Sequence, residues 1–449
     1  MNYPEDLKPR LRPAPKTQAL YEQALNTIPG GTGLLSKRPE QFAPGAWPAY
    51  FSAAQGCEVT DLDGNVYVDM SLGGILACPL GYADPDVNAA VCERINRGNM
   101  STLNPPEEVE LAQRLCELHP WAKEVRFTRS GGEISTVAVR IARATTGRDK
   151  VAISGYHGWH DWYLAACLPS RDSLAGHLFG LDPYGVPKAL NGLTQPFLHN
   201  DFESFDKMIR EHGEDLACVI MEPMRNEPPL PGFLEHVKSE AHRVGALLIF
   251  DEISIGFRLA LGGAHLTLGI NPDMAIFAKA LGNGFPIGAV IGSSAAMEGA
   301  HKSFISSTYW TEAIGPTAAL ATLKKMAATR SWEQGIEIGR KVLDIWAELA
   351  KRYDLPIALV DTNPAMPRFK FTEKNDQYRT LFTLYMLAEG YLAGTALNPM
   401  LTHTDEVLAA YRKAVERTFA KLRRVIDLGC AEELVGGKEA RSGFGRLVR

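Results

Sequence analysis

The stretch from Val244 to Gly292 constrains the fold more than any other part of this chain. Three short apolar runs follow one another there: GALLIF at 245–250, MAIFAKALG at 274–282 and IGAVIG at 287–292. Runs this short and uniformly apolar are typical of strands buried on both faces, the kind that parallel sheets use. The first run ends on Asp251 and Glu252. The second carries Lys279, 28 positions beyond Asp251 (279 minus 251), and the third comes straight after a Gly-Asn-Gly turn. In parallel α/β sheets ligands gather at the carboxyl ends of strands, so an acid at one strand end and a lysine near the next can meet over one site.

That pairing suits the chemistry of pyridoxal phosphate. A lysine amine can hold the cofactor as a Schiff base, and a carboxylate can keep a proton on the pyridine nitrogen so that the ring draws electrons. Taken singly, each residue has a plainer reading: a lysine among apolar residues usually snorkels to solvent, and an acid pair at a strand end usually makes a turn. The combination with its glycines is what carries the chemistry.

The rest of the chain fits around such a core. At 449 residues it is too long for one ordinary core, so two domains, or one large α/β domain with an appendage, are expected. A formal charge of −5 offers no polyanion-binding surface, and Lys8-Pro9-Arg10-Leu11-Arg12 is too short a basic cluster to bind nucleic acid. The seven cysteines, with no C-x-x-C pair, read as free thiols in a reducing compartment and supply no zinc site. The Pro-rich, charged start lacks the apolar centre of a signal peptide, and no run approaches the roughly 18 apolar residues of a membrane helix. A cytoplasmic protein without a metal or membrane partner is the expectation.

Strands and helices alternate from about 120 to 295, which predicts a mostly parallel sheet wrapped by helices. Within it, VRFT followed by Ser130-Gly131-Gly132-Glu133 and a helical pattern gives a strand, a small-residue turn and a helix start. Such a start offers free N–H groups and a positive dipole end to a phosphate. The strand VAISGY leads into Tyr156-His157-Gly158-Trp159-His160-Asp161, whose first aromatic could stack on a planar ring. LACVIMEPM closes on Glu222. Residues 162–200 show little periodicity and read as a long loop near the site. After Arg330 long amphipathic helices and short strands take over. We expect 1–70 to join a C-terminal small α+β domain at 331–449, with 71–330 as the large cofactor domain.

These motifs together resemble the class III aminotransferases, and among them glutamate-1-semialdehyde aminomutase, from about Leu20 to Leu422. The resemblance is carried by IPGG at 28–31, DLDGNVYVDM at 61–70, SGGE at 130–133, ARATTGRDK at 142–150, YHGWHD at 156–161, EPM at 222–224, the FDE…GFR run and AKALGNGFPIGA at 278–289. It implies a fold-type-I α/β homodimer with pyridoxal 5′-phosphate at the interface. It also implies transfer of an amino group from a small donor to a carbonyl on a small metabolite, a sugar or another biosynthetic intermediate, with an aminomutase as the alternative. By resemblance Lys279 is the Schiff-base lysine and proton shuttle, Asp251 pairs with the pyridine nitrogen and Tyr156 stacks on the ring. Gly131 and Gly132 serve the phosphate, Glu222 lies by the phenolic side, and Thr311 reaches the partner's phosphate.

The substrate side departs from the aminomutase pattern. Ser-Gly-Thr-Glu-Ala becomes Ser-Gly-Gly-Glu-Ile, and a carboxylate-binding Ser-Pro-Val-Arg is replaced by the longer TGLLSKRPEQF, in which Lys37 or Arg38 could serve. Gly-Ser-Trp-Gly becomes Ser71-Leu72-Gly73-Gly74. These changes point away from glutamate-1-semialdehyde as substrate. Arg129, Arg258 and Arg368 are further candidates for gripping a carboxylate or phosphate.

Overall fold

The computed structural model describes residues 3–170, 181–224, 227–360 and 363–441. The chain divides into two compact units, Met1–Asp84 with Gln334–Arg449, and Pro85–Glu333. Residues 71–84 therefore group with the first unit.

The chain enters the first unit with strands β1 (Phe51–Gln55), β2 (Glu58–Asp61) and β3 (Val66–Met70), paired antiparallel in that order. The β2–β3 turn closes because the buried Asp61 carboxylate accepts the N–H groups of Asp63 (2.8 Å) and Asn65 (2.9 Å), a side chain replacing the missing ladder bonds. Just after β3 the backbone makes a left-handed turn. Gly73, Gly74, Ile75 and Leu76 all have φ between 49° and 67°. Glycine accepts this freely, but a β-branched isoleucine at φ 59° is a genuine outlier.

The second unit holds a seven-stranded sheet of β4 (Glu124–Thr128), β5 (Lys150–Ser154), β6 (Thr194–Pro196), β7 (Leu216–Met221), β8 (Leu247–Asp251), β9 (Met274–Phe277) and β10 (Gly288–Gly292). The order is β4-β10-β9-β8-β7-β5-β6, parallel except for β10, which runs antiparallel to both β4 and β9. The GALLIF, LACVIM and MAIF runs become the central strands. Their alternate side chains feed two cores, because successive residues of a strand point to opposite faces. Ile249, Ile220 and Ile276 meet Ile134, Val137 and Ile141 of the helix Gly131–Thr146. Leu248, Phe250 and Val219 meet Phe205 and Phe233 of the helices Phe202–His212 and Phe233–Arg243. Each such fully buried side chain is worth about 1.5–3 kcal/mol relative to exposure. Residues 162–200, read above as one long loop, instead carry short helical turns and the edge strand β6; positions 171–180 of that stretch lie outside the described residues.

The chain then returns to the first unit with β11 (Ile357–Leu359), β12 (Phe369–Phe371) and β13 (Tyr391–Ala393). β13 lies parallel to β3, with Tyr391 opposite Val68, and completes a four-stranded sheet. Trp346, Phe369, Phe382, Tyr411 and Phe419 fill the core beneath the helices Asn375–Ala388 and Asp405–Leu428. Among the described residues no helix is long and apolar enough to cross a membrane, and no group of three or more His, Cys, Asp or Glu could hold a metal ion.

Candidate active site

β8 delivers Asp251 to the carboxyl end of the sheet, where it is only 2% exposed. Its Oδ2 accepts a hydrogen bond from His157 Nδ1 at 2.7 Å, and its Oδ1 accepts the N–H of Ile253 at 3.0 Å. Burial pushes the Asp251 carboxyl above the usual carboxylate range. The hydrogen bond and charge of His157 oppose that rise, and the neighbouring Glu222 adds to it. His157 is itself buried, stacked on Trp162 at 6.4 Å between ring centroids and edge-on to Tyr163 at 5.7 Å. It reaches Asp251 because β5 runs straight into a tight bend at Gly155, whose φ is 111°. A Cβ there would stand 2.5 Å from Glu222 Oε2, so the bend requires glycine.

Lys279 follows β9 and opens the short 3₁₀ turn Lys279–Gly282 with φ 44°, a conformation that an ordinary lysine avoids. Its Nζ donates to Ser254 Oγ at 2.9 Å. Ser254 stands three residues beyond Asp251, so this bond ties the Lys279 amine to the segment that follows the acid. The irregular backbone supplies the reach that a continuing strand could not.

The helix Gly131–Thr146 begins at Ser130, whose hydroxyl accepts the Glu133 N–H at 3.4 Å. The first N–H groups of a helix have no partner within it. A Cβ on Gly132 would lie 2.7 Å from the His160 ring, and one on Gly158 3.0 Å from the Gly132 Cα, so the 158–160 segment rests directly on the helix start. Glu222 is buried and its Oε2 accepts the Tyr156 N–H at 3.1 Å, while the Tyr156 ring stays partly exposed, edge-on to Tyr163. Thr311 is exposed in the turn Thr308–Thr311, and its hydroxyl donates to the Thr308 carbonyl at 2.8 Å.

Two of the candidate arginines already have structural work, and a third is buried. Arg129 pairs with Glu312 at 2.6 Å and donates to the carbonyls of Trp310 and Glu312, which pins the Thr311 turn. Arg258 is buried with Nε on the Ser254 carbonyl at 3.1 Å. Arg38 is buried against Gly30. Sequence reasoning gave two further residues no role. His157 reads equally well as a packed aromatic, and nothing in its spacing points to Asp251. Glu252 accepts the N–H groups of Ala264 and His265 together with His265 Nδ1 (2.8 Å), and Trp121 Nε1 donates to the far ring nitrogen at 3.2 Å. The second acid of the pair thus ties down the 252–265 loop.

Comparison with known proteins assigns this arrangement to a class. Residues 43–418 match the model of the class-III aminotransferases, and the chain belongs to that family. It is 30% identical to the 3-aminobutyryl-CoA aminotransferase of Cloacimonas acidaminovorans, covering 92% of this chain and 98% of that protein. It is 34% identical to the glutamate-1-semialdehyde 2,1-aminomutase of Myxococcus xanthus, over 76% and 80% of the two chains. The PLP internal aldimine form of the FumI protein from Sphingopyxis sp. MTA144 superposes with a TM-score of 0.83 at 24% identity, over 92% of this chain and 98% of that one. The fold is that of the fold-type-I pyridoxal-phosphate enzymes. The protein is a pyridoxal-phosphate-dependent aminotransferase, which moves an amino group from a donor to a carbonyl. The residues present suit the cofactor: a buried carboxylate held by two donors, a lysine amine on a strained turn and bonded to Ser254, and a glycine-bearing helix start.

Proposed function

We propose that Lys279 and Asp251 are the catalytic residues of this aminotransferase. Lys279 holds the cofactor through Nζ, and Asp251 faces its ring nitrogen. When bound, the cofactor supplies a protonated ring that takes up the electron pair left as a proton departs from the carbon beside the amine. Lys279 Nζ, oriented by Ser254 Oγ, is the base that takes this proton and the acid that returns it. Asp251 must be ionised to hold the ring-nitrogen proton, and His157 and the Ile253 N–H favour that charge against burial. Tyr156 packs on the ring face, Glu222 serves its phenolic side, and Gly131 and Gly132 meet the phosphate at the helix start. Thr311, exposed on its pinned turn, serves the phosphate of a second copy, so the working form is a homodimer with shared sites. Seven free cysteines support a reducing, cytoplasmic setting.

The observation that carries this reading is the Lys279 Nζ bond to Ser254 Oγ, three residues beyond the buried Asp251 carboxylate. The test is a half-reaction: glutamate, alanine and other amines are added singly to the yellow holoenzyme while the visible cofactor band is followed. Bleaching with release of a keto acid establishes amino transfer and names the donor. A band that shifts without bleaching, with no keto acid formed, would establish the aminomutase alternative instead. No band after cofactor is added would remove Lys279 from its role.

A further inference from the structure

His160 lies against the start of the helix Gly131–Thr146. Gly132, the second residue of that helix, does not have the positive φ that calls for glycine. Its neighbour is what demands a glycine there. A Cβ at 132 would lie 2.7 Å from His160 Cε1 and 2.8 Å from His160 Nδ1, closer than real Cβ contacts come. The imidazole therefore occupies the space of a side chain at 132 and brings a ring nitrogen into it.

The ring is held in that place. Trp159 stacks on it, with 4.4 Å between ring centroids and 22° between planes. Gly158, at φ 107°, lets the segment lie close to the helix start, where its own Cβ would stand 3.0 Å from the Gly132 Cα. His160 Nδ1 is buried and has no hydrogen-bond partner among the described residues. Burial pulls the ring below the ordinary histidine range, against the charges of Glu133 and Asp161, so at neutral pH it carries one N–H. A buried ring nitrogen without a partner is costly, and native structures rarely keep one without a use. Glu133, the carboxylate of the helix's first turn, is already engaged. It accepts the Arg129 N–H at 3.0 Å and Trp310 Nε1 at 3.3 Å. What a helix start does attract is an outside anion, through its unpaired N–H groups and positive dipole end.

We propose that His160 is a ligand of the cofactor's phosphate, donating Nδ1–H to one of its oxygens from the space that Gly132 leaves open. The inference rests on the proposed function, which puts the phosphate at this helix start.

The test compares two probes on the full-length chain freed of cofactor: pyridoxal 5′-phosphate and pyridoxal, which lacks the phosphate. Affinities are read from the quenching of tryptophan fluorescence. In His160→Ala the affinity for pyridoxal 5′-phosphate should fall by about 10- to 100-fold while that for pyridoxal stays as in the wild type. His160→Asn, whose amide can still donate near the Nδ1 position, should keep part of the difference. The double variant His160→Ala with Gly132→Ser has room for a hydroxyl in the vacated space and should recover affinity for the phosphate probe alone. Gly132→Ser by itself should bind more weakly than that double variant, because its side chain meets the ring. Should His160→Ala melt well below the wild type, His160→Leu takes its place and should show the same selective loss. A loss shared equally by both probes, or no loss in any His160 variant, overturns the proposal. Failure of the aminotransferase reading would appear separately, as a wild type that gives no visible band with either probe.

Discussion

Replacing His157 by phenylalanine probes the buried carboxylate at its most sensitive contact. The phenyl ring keeps the stacking on Trp162 and the edge contact with Tyr163, so the substitution removes little except the 2.7 Å hydrogen bond to Asp251 Oδ2. Asp251 then keeps only the Ile253 N–H at 3.0 Å. A hydrogen bond to a charged group contributes about 1.5–3 kcal/mol, so its loss should push the Asp251 carboxyl further up. Its value is already raised from 3.8 in the folded protein. Between the unfolded and folded values the native state binds the extra proton, so this group makes stability fall as pH rises through that window. The substitution widens the window upward. The variant's stability deficit should therefore be largest at neutral pH and shrink toward acid. If Asp251 must be ionised for turnover, the acid limb of the pH–rate profile should also move to higher pH, with kcat falling more than KM changes. The assay is kcat against pH on the holoenzyme, with thermal melts at neutral and acid pH. An unmoved acid limb together with an unchanged melt would refute both the contact's energetic weight and the assignment of Asp251.

Other substitutions separate chemistry from scaffolding. Asp251→Asn should keep the cofactor bound yet lower kcat by about 100- to 10,000-fold, since an amide cannot hold the ring proton; wild-type turnover would overturn that role. Ser254→Ala removes the acceptor of Lys279 Nζ, and kcat should fall by about 10-fold with the visible band retained. Glu312→Ala leaves the half-buried Arg129 with backbone carbonyls only and no counter-charge. It should cost about 1–3 kcal/mol in denaturant melts, and an unchanged midpoint would show that the Thr311 turn is not held by that pair.

The central sheet was legible because strands buried on both faces must be apolar throughout, and GALLIF, LACVIM and MAIF had no other reading as short runs. Lys279 and Asp251 were legible for the same reason, as charged residues placed at the ends of such runs. The antiparallel course of β10 was not, since an apolar run carries no direction. His157 could not be matched to Asp251 either, because the contact joins a loop to a strand end 94 residues away and leaves no local period. The left-handed turn at 73–76 was hidden in part because Ile75 is a residue that such a backbone ordinarily excludes. The edge strand β6 is three residues long, too short for an alternating pattern to emerge.

The first unit is assembled from both ends of the chain, and this sets a timetable for its manufacture. β3 cannot find its parallel neighbour until β13 has been made, with Tyr391 emerging 323 positions after Val68 (391 minus 68). At roughly 5–20 residues per second, the amino-terminal hairpin waits about 16–65 s on the ribosome for the strand that completes its sheet. During that delay the intervening unit can finish both of its cores and act as a tether for the unpaired segment. Shortening the chain from its carboxyl end would therefore damage its beginning as well, orphaning the first 84 residues while leaving the middle unit able to fold.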